Sequence, residues 1–170
     1  MGLFTSKEFN NLDELLIDQL RDLYDAENRL LDALPKMSDA ATAPDLKHAF
    51  QSHLAETKGH VNRLESAFQA LGEKPKRESC EAMKGLISEG DEILQAQGNS
   101  DVIDAALIAA GQRVEHYEIA GYGAARNFAQ RSGHQDVADL LQETLNEEGE
   151  ADKTLTRIAE AYVNQSAASA

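Results

Sequence analysis

The stretch HLAETKGH, residues 53–60, places two histidines and a glutamate where a helix should carry apolar side chains. Carboxylate and imidazole together suit iron, manganese and zinc. Other acids sit in similar settings. Glu27 falls inside the stripe Leu12, Leu16, Leu20, Leu23, Leu30 and Leu34. Glu118 lies in the seam Leu107, Gly111, Val114, Gly121, Ala125 and Phe128, with Glu115 one turn earlier. Glu148 and Asp152 take two places in the seam Leu141, Leu145, Leu155, Ala159 and Tyr162. His60 follows Glu56, and Asp152 follows Glu148, at the spacing that makes helical neighbours. Glu27 to Glu56 and Glu118 to Glu148 span nearly equal lengths of chain, as two matching helical hairpins require.

Burying an unpaired ionised carboxylate costs on the order of several kcal/mol, so such groups pair or neutralise. Arg29, Arg63, Arg113 and Arg126 all fall off the seams, which leaves basic partners insufficient. A pair of divalent metals would balance the charge. Taken singly, each residue also has a plainer reading. A lone seam glutamate is commonly salt-bridged, and His53 alone fits a core histidine. His116 reads as exposed, and Glu147 and Glu150 read as surface residues. Agreement across four helices is what carries the metal reading. Asp152 is either a direct ligand or a support for one, and Tyr24 either lies beside Glu27 or is simply core.

The apolar periodicity predicts helices over about 11–34, 45–71, 101–130 and 136–162. Pro35 should end or kink the first, with residues 38–44 as the connection. Gly72 and Pro75 close the second. A short amphipathic helix is expected over about 81–95, and GNSD at 98–101 caps the next long one. Gly121 and Gly123 suggest close helix approach, and SGH at 132–134 a tight turn. Residues 1–9 read as a loose arm and 163–170 as a disordered tail. The whole describes a single all-α domain over 1–170. Its architecture is an antiparallel four-helix bundle with a long crossover between the second and third long helices.

Sixteen Lys and Arg against thirty Asp and Glu give a formal charge of −14. Such a shell repels phosphate backbones, which excludes nucleic-acid partners. It attracts cations, or simply keeps a bundle soluble. Cys80 is the single cysteine and reads as half-buried and structural; one thiol makes no internal disulfide, so a reducing compartment fits. No secretory signal or membrane span is apparent. MGLFTS matches a short myristoylation pattern at Gly2 and Ser6. Nucleophile, phosphate-loop and nucleotide motifs are absent from the sequence.

The crossover bundle with these acids resembles the ferritin-like superfamily, which includes rubrerythrin and bacterioferritin. LYDAE (23–27), HLAET (53–57), RVEHYEIAGYG (113–123) and TLNEE (144–148) resemble more closely the YciE/YciF-type bacterial stress proteins, over nearly the whole chain. The resemblance implies a ferritin-like fold, a cytoplasmic setting and a homodimer. By position, Glu27 and Glu118 correspond to the single glutamates of the first and third long helices. Glu115 matches the extra glutamate of rubrerythrin-type sites, and Glu56 and Glu148 match the bridging ones. The usual Glu-x-x-His is broken here, because positions 59 and 151 are Gly59 and Ala151. His60 and Asp152 come one residue later, and His53 one turn earlier. A π-bulge would bring the later residues into place; without it the site would be poor in imidazole.

The expected protein is therefore a metal-binding stress protein holding two iron or manganese ions, with zinc as a substitute. Its activity would be ferroxidase- or peroxidase-like. Glu56 and Glu148 would bridge, Glu27 and Glu118 would terminate, and His60 or His53 with Asp152 would complete the shells. The alternative is a non-enzymatic bundle that works by binding a partner, its metal structural or absent. An iron-storage cage fits less well, since no fifth helix follows Tyr162 and the crossover is itself helical.

Overall fold

The computed structural model describes residues 7–170. Five helices, α1 (Leu12–Ala40), α2 (Pro44–Ala70), α3 (Glu81–Leu94), α4 (Ser100–Arg131) and α5 (Gln135–Ile158), lead into a π-helical turn, Ala159–Val163, and a short α6 (Asn164–Ala168). The described residues contain no strand. The myristoylation pattern at Gly2 and Ser6 lies outside the described residues.

The four long helices pack in a ring, α1 on α2, α2 on α5, α5 on α4 and α4 on α1, with α3 laid across α1 and α4. Their direction follows from who shares a core. One apolar cluster joins the start of α1 (Leu16, Leu20, Leu23) to the end of α2 (Leu64, Phe68), the end of α4 (Ala125, Ala129) and the start of α5 (Val137, Leu141). A second joins the opposite ends, among them Leu30, Leu34, Leu46, Phe50, Leu107 and Leu155, and includes Cys80 and Met83 of the crossover. Neighbouring long helices are therefore antiparallel. Glu27, between Leu23 and Leu30, marks the level at which the two apolar clusters part.

Several boundaries differ from expectation. Helix α1 runs through Pro35 to Ala40 instead of stopping at Leu34. An internal proline costs about 3 kcal/mol, and burial of Leu34, Met37 and Ala41 offsets it. The connection shrinks to residues 41–43. The tail expected to be disordered is helical through Ala168, because Ala159 and Val163 are buried against the second cluster. Of the arm expected over 1–9, residues 1–6 lie outside the described residues; residues 7–9 are exposed, and Lys7 pairs with Asp18 at 2.6 Å and Glu78 at 3.1 Å. Helix α3 falls where its apolar spacing put it. Cys80 is fully buried, not half-buried, and its Sγ caps α3 by accepting from Met83 N at 3.3 Å. Gly121 is a close-approach site, since a Cβ there would stand 2.9 Å from Leu23 Cδ2; Gly123 has open space instead.

Helix α2 starts without a capping side chain of its own, Ala43 being the N-cap and Pro44 the first residue. Asp104, buried on α4, supplies the acceptors from across the bundle. It takes Thr42 N at 2.9 Å, Thr42 Oγ1 at 2.7 Å and Ala43 N at 2.7 Å. Asp104→Ala should therefore destabilise the fold by about 2–4 kcal/mol, the sum of a lost cap and orphaned donors. Urea unfolding measures this, and a loss under about 0.5 kcal/mol, the scatter of ordinary surface changes, would contradict it.

Candidate metal centre

Six ionisable side chains meet where the two apolar clusters part. Helix α1 brings Glu27, α2 brings His53 and His60, α4 brings Glu115 and Glu118, and α5 brings Glu148; all six are buried. Their ligand atoms form two groups, each within a 4.8 Å span: His53, Glu115, Glu118 and Glu148, and Glu27, His60 and Glu148. Glu148 belongs to both. Such groups could hold a metal ion.

Each imidazole has one nitrogen turned outward and one turned inward. His60 Nε2 lies 2.9 Å from Glu147 Oε2, while its Nδ1 is 2.9 Å from Glu148 Oε1 and 3.2 Å from Glu27 Oε1. His53 Nδ1 lies 3.4 Å from Glu56 Oε2, while its Nε2 is 3.5 Å from Glu115 Oε1 and 3.6 Å from Glu148 Oε2. The inward contacts miss hydrogen-bond geometry, leaving both inner nitrogens without a directed partner. Both oxygens of Glu118 and of Glu148 are likewise orphaned, with Glu27 Oε2 and Glu115 Oε2. A carboxylate on the outer nitrogen is the usual support of a metal-ligating histidine.

Helix α2 is regular through Gly59 and His60, and α5 through Asp152, so no π-bulge delivers these residues; a π turn comes later, at Ala159–Val163. The imidazoles arrive by period instead. His53 and His60 are two turns apart and nearly in line, whereas Glu56 falls roughly 60° to one side of His53. Hence Glu56, expected to bridge, joins neither group, and its side chain is 41 % exposed. Asp152 also stays outside both, accepting from Gln112 Nε2 at 3.0 Å with His116 Nε2 at 3.3 Å. Tyr24 turns away and donates to Glu65 Oε1 at 2.7 Å. His116 and Glu150 are exposed, as expected, and Arg157 binds Glu150 at 2.8 Å.

Tyr122 escaped the sequence reading, and Arg63 and Glu147, read as off-seam and surface residues, also reach the cluster. Tyr122, fully buried, donates its O–H to Glu27 Oε1 at 2.5 Å. Arg63 grips Glu147 with both terminal nitrogens at 2.6 and 2.7 Å and donates to Thr144 Oγ1 at 3.2 Å. Glu147 is thereby an anchored support for His60 instead of a surface acid. Arg63 follows His60 by three residues, on the same helix face, and that spacing was the available signal.

Residues 11–168 match the family described as a domain of unknown function, DUF892. The chain belongs to this family. It is 42 % identical over 157 residues to YciF of Escherichia coli, covering 92 % of this chain and 95 % of that one. The crystal structure of the E. coli stress protein YciF aligns with a TM-score of 0.88 at 41 % identity, over 92 % of this chain and 99 % of that one. YcfI of Rhodopseudomonas palustris aligns with a TM-score of 0.86 at 42 % identity, over 90 % and 98 %.

In this DUF892 chain the charges inside the cluster sort by environment. Burial, reinforced by the Glu148 charge for Glu115 and by the Glu27 and Glu148 charges for Glu118, pushes both carboxyls well above the usual range. Burial also lifts Glu27, against the opposing pull of His60. Burial disfavours charge on His60 too, but Glu148 and Glu27 outweigh it and hold its pKa at about 10. Glu148 is pulled down despite burial by His60 and His53.

The metal-free fold thus keeps protons on Glu115, Glu118 and His60 that the unfolded chain gives up from about pH 4.5 and 6.5 respectively. A folded state that binds more protons loses stability as pH rises. The His60 share is complete below pH 6.5 and is lost as pH climbs through about 10. Glu148 acts in the opposite sense, losing its share as pH falls through its depressed value. Metal-free protein should therefore show a falling Tm from pH 5 to pH 9, and Glu118→Gln should raise the Tm at pH 8. Calorimetry of chelated protein tests both, and a Tm that rises over this range, or is unmoved in Glu118→Gln, would contradict this assignment of protons.

Proposed function

We propose that this protein is a dinuclear metal-binding stress protein, with two iron or manganese ions as its cofactor and zinc as a substitute. The observation that supports this reading is the set of inward-facing atoms on Glu27, His53, His60, Glu115, Glu118 and Glu148 that make no directed hydrogen bond. Mixed carboxylate and imidazole donors fit these metals, and two inner imidazole nitrogens with outer carboxylate supports fit ligation over structural burial. Glu148 would be shared between the two ions. Glu27 and His60 would hold one, and His53, Glu115 and Glu118 the other. When bound, the pair would supply reversible electron transfer toward oxygen or peroxide, the basis of a ferroxidase- or peroxidase-like activity in oxidative-stress defence.

The chain's own residues prepare this site. Arg63 and Glu147 fix the His60 ring with Nδ1 facing inward, and Tyr122 restrains Glu27. The apolar clusters above and below the carboxylates lower the local dielectric, which strengthens any charge interaction between them and a cation. Glu56 and Asp152 act from outside the two groups, on His53 and Gln112 respectively. Likeness to YciF, a stress protein, supports the physiological setting. A cytoplasmic homodimer is the assembly we propose on the same likeness. Among the described residues no helix is long and apolar enough to cross a membrane, and the −14 charge argues against nucleic acid as a partner.

The deciding experiment is metal content per chain, by elemental mass spectrometry, of protein purified without an affinity tag. Wild type should carry about two iron or manganese, as this bundle class does, and Glu148→Ala should lose them because it removes the shared ligand. A value near zero in wild type would overturn the metal reading and leave a bundle that acts by binding a partner. Full occupancy without peroxide-dependent oxidation of Fe(II) would remove the redox role and leave a structural metal.

A further inference from the structure

A cavity of about 90 Å³ lies between α2 and α5, room for several water molecules. Ala49 and Ser52 from α2 and Ala151 and Thr154 from α5 line it with small side chains, and Phe50 and Leu155 complete its wall. His53 and Glu115 form its floor. His53 Nε2 and Glu115 Oε2 are among the buried atoms that lack a partner. Glu56 and Glu150 flank its mouth, their side chains 41 % and 57 % exposed. Arg157 and Lys153 occupy Glu150, at 2.8 and 3.7 Å. Glu56 is left as the rim carboxylate, and its neighbour is His53 itself at 3.4 Å. The cavity beneath α3 is smaller, about 20 Å³, and touches none of the six cluster residues.

We infer that the α2–α5 mouth is the way in for divalent cations, and that Glu56 transfers them from solvent to His53 and Glu115. This rests on the dinuclear reading above. A hydrated divalent cation loses waters more readily to a carboxylate than to apolar walls, because the oxygen replaces the water it gives up. Glu56 offers that oxygen at the boundary. From there the next ligands inward are the unpartnered His53 Nε2 and Glu115 Oε2. The role explains why an acid stands at position 56 yet lies outside both ligand groups. It also accounts for the small side chains Ala49, Ser52, Ala151 and Thr154 that stand beside Phe50 and Leu155 on this face and leave the cavity open.

Stopped-flow uptake of Co(II), read by its visible absorption, tests this on the full chain. Ala151→Phe fills the mouth, and Glu56→Gln removes the rim charge at constant size on an exposed position. Gly90→Leu, in the cavity beneath α3, is the control. Both mouth variants should reach the wild-type number of Co(II) per chain, with uptake slowed about tenfold or more, a tenfold slowing being about 1.4 kcal/mol of added barrier. Gly90→Leu should load at the wild-type rate. Circular dichroism confirms the fold of each, and Glu56→Gln carries the test if Ala151→Phe fails to fold. Full occupancy at unchanged rates in the mouth variants would overturn the route and leave the metal reading intact. Reduced final occupancy in Glu56→Gln at saturating Co(II) would make Glu56 part of the binding site, as a ligand or as the support of His53, and overturn its transfer role. No Co(II) uptake by wild type would overturn the metal reading itself.

Discussion

Four carboxylates are held in a core whose counter-charge comes from two imidazoles alone, and the rest of the fold answers to that constraint. Other buried acids in the same chain show what a saturated site looks like. Asp25 receives Arg29 Nε at 2.5 Å, Arg77 Nε at 2.8 Å and Cys80 N at 2.9 Å. These bonds and charges pull its pKa down despite burial. Asp104 is filled by three donors at the start of α2. Against these, Glu118 has no donor on either oxygen. Among the described residues, buried acids are fully satisfied where they are structural, and carboxylate oxygens are left without a directed donor at this level. Bare acids weaken a fold that binds nothing, so the exception points to a ligand.

The bundle is built to tolerate this level. Apolar clusters above and below it carry the folding energy, and each draws on all four long helices. Asp25 and Cys80 tie the crossover to α1, so that α3 covers the second cluster near Leu30 and Val114. Close approach of α1 and α4 at Gly121 and Leu23 brings Tyr122 over Glu27. Without the small residue there, the phenol could not reach that carboxylate without displacing Leu23.

Periodicity carried the architecture well. Four apolar stripes, a crossover helix and a tight turn at Gly133, whose φ is +85°, follow from spacing and turn chemistry alone. The misreadings have a common cause: residues judged from their own helix were decided by another. Pro35 lies inside α1 because tertiary burial beyond it outweighs the local break. Glu147 reads as surface from α5, but Arg63 and His60 of α2 claim it. Glu56 looks central because it sits between two histidines. Turning both histidines inward necessarily turns it aside. Acid in the seam was legible; which atom faces which was not, because that depends on rotation of one helix against three others.

Both imidazoles come from α2, and α5 contributes only Glu148 to the groups. The two hairpins are thus not equivalent, although their acids are nearly evenly spaced in sequence. Each group still receives one imidazole, so the site is not poor in nitrogen as the broken Glu-x-x-His pattern implied. The groups differ in what surrounds them. Glu27 and His60 are sealed by Tyr122 and by the Arg63–Glu147 pair, whereas His53 and Glu115 line a cavity. A cation on the proposed route meets the four-residue group first. It reaches the Glu27–His60 side only past Glu148, the one carboxylate common to both. Filling of the sealed position would then depend on the open one, and the chemistry that makes Glu148 a shared ligand would also make it the passage between them.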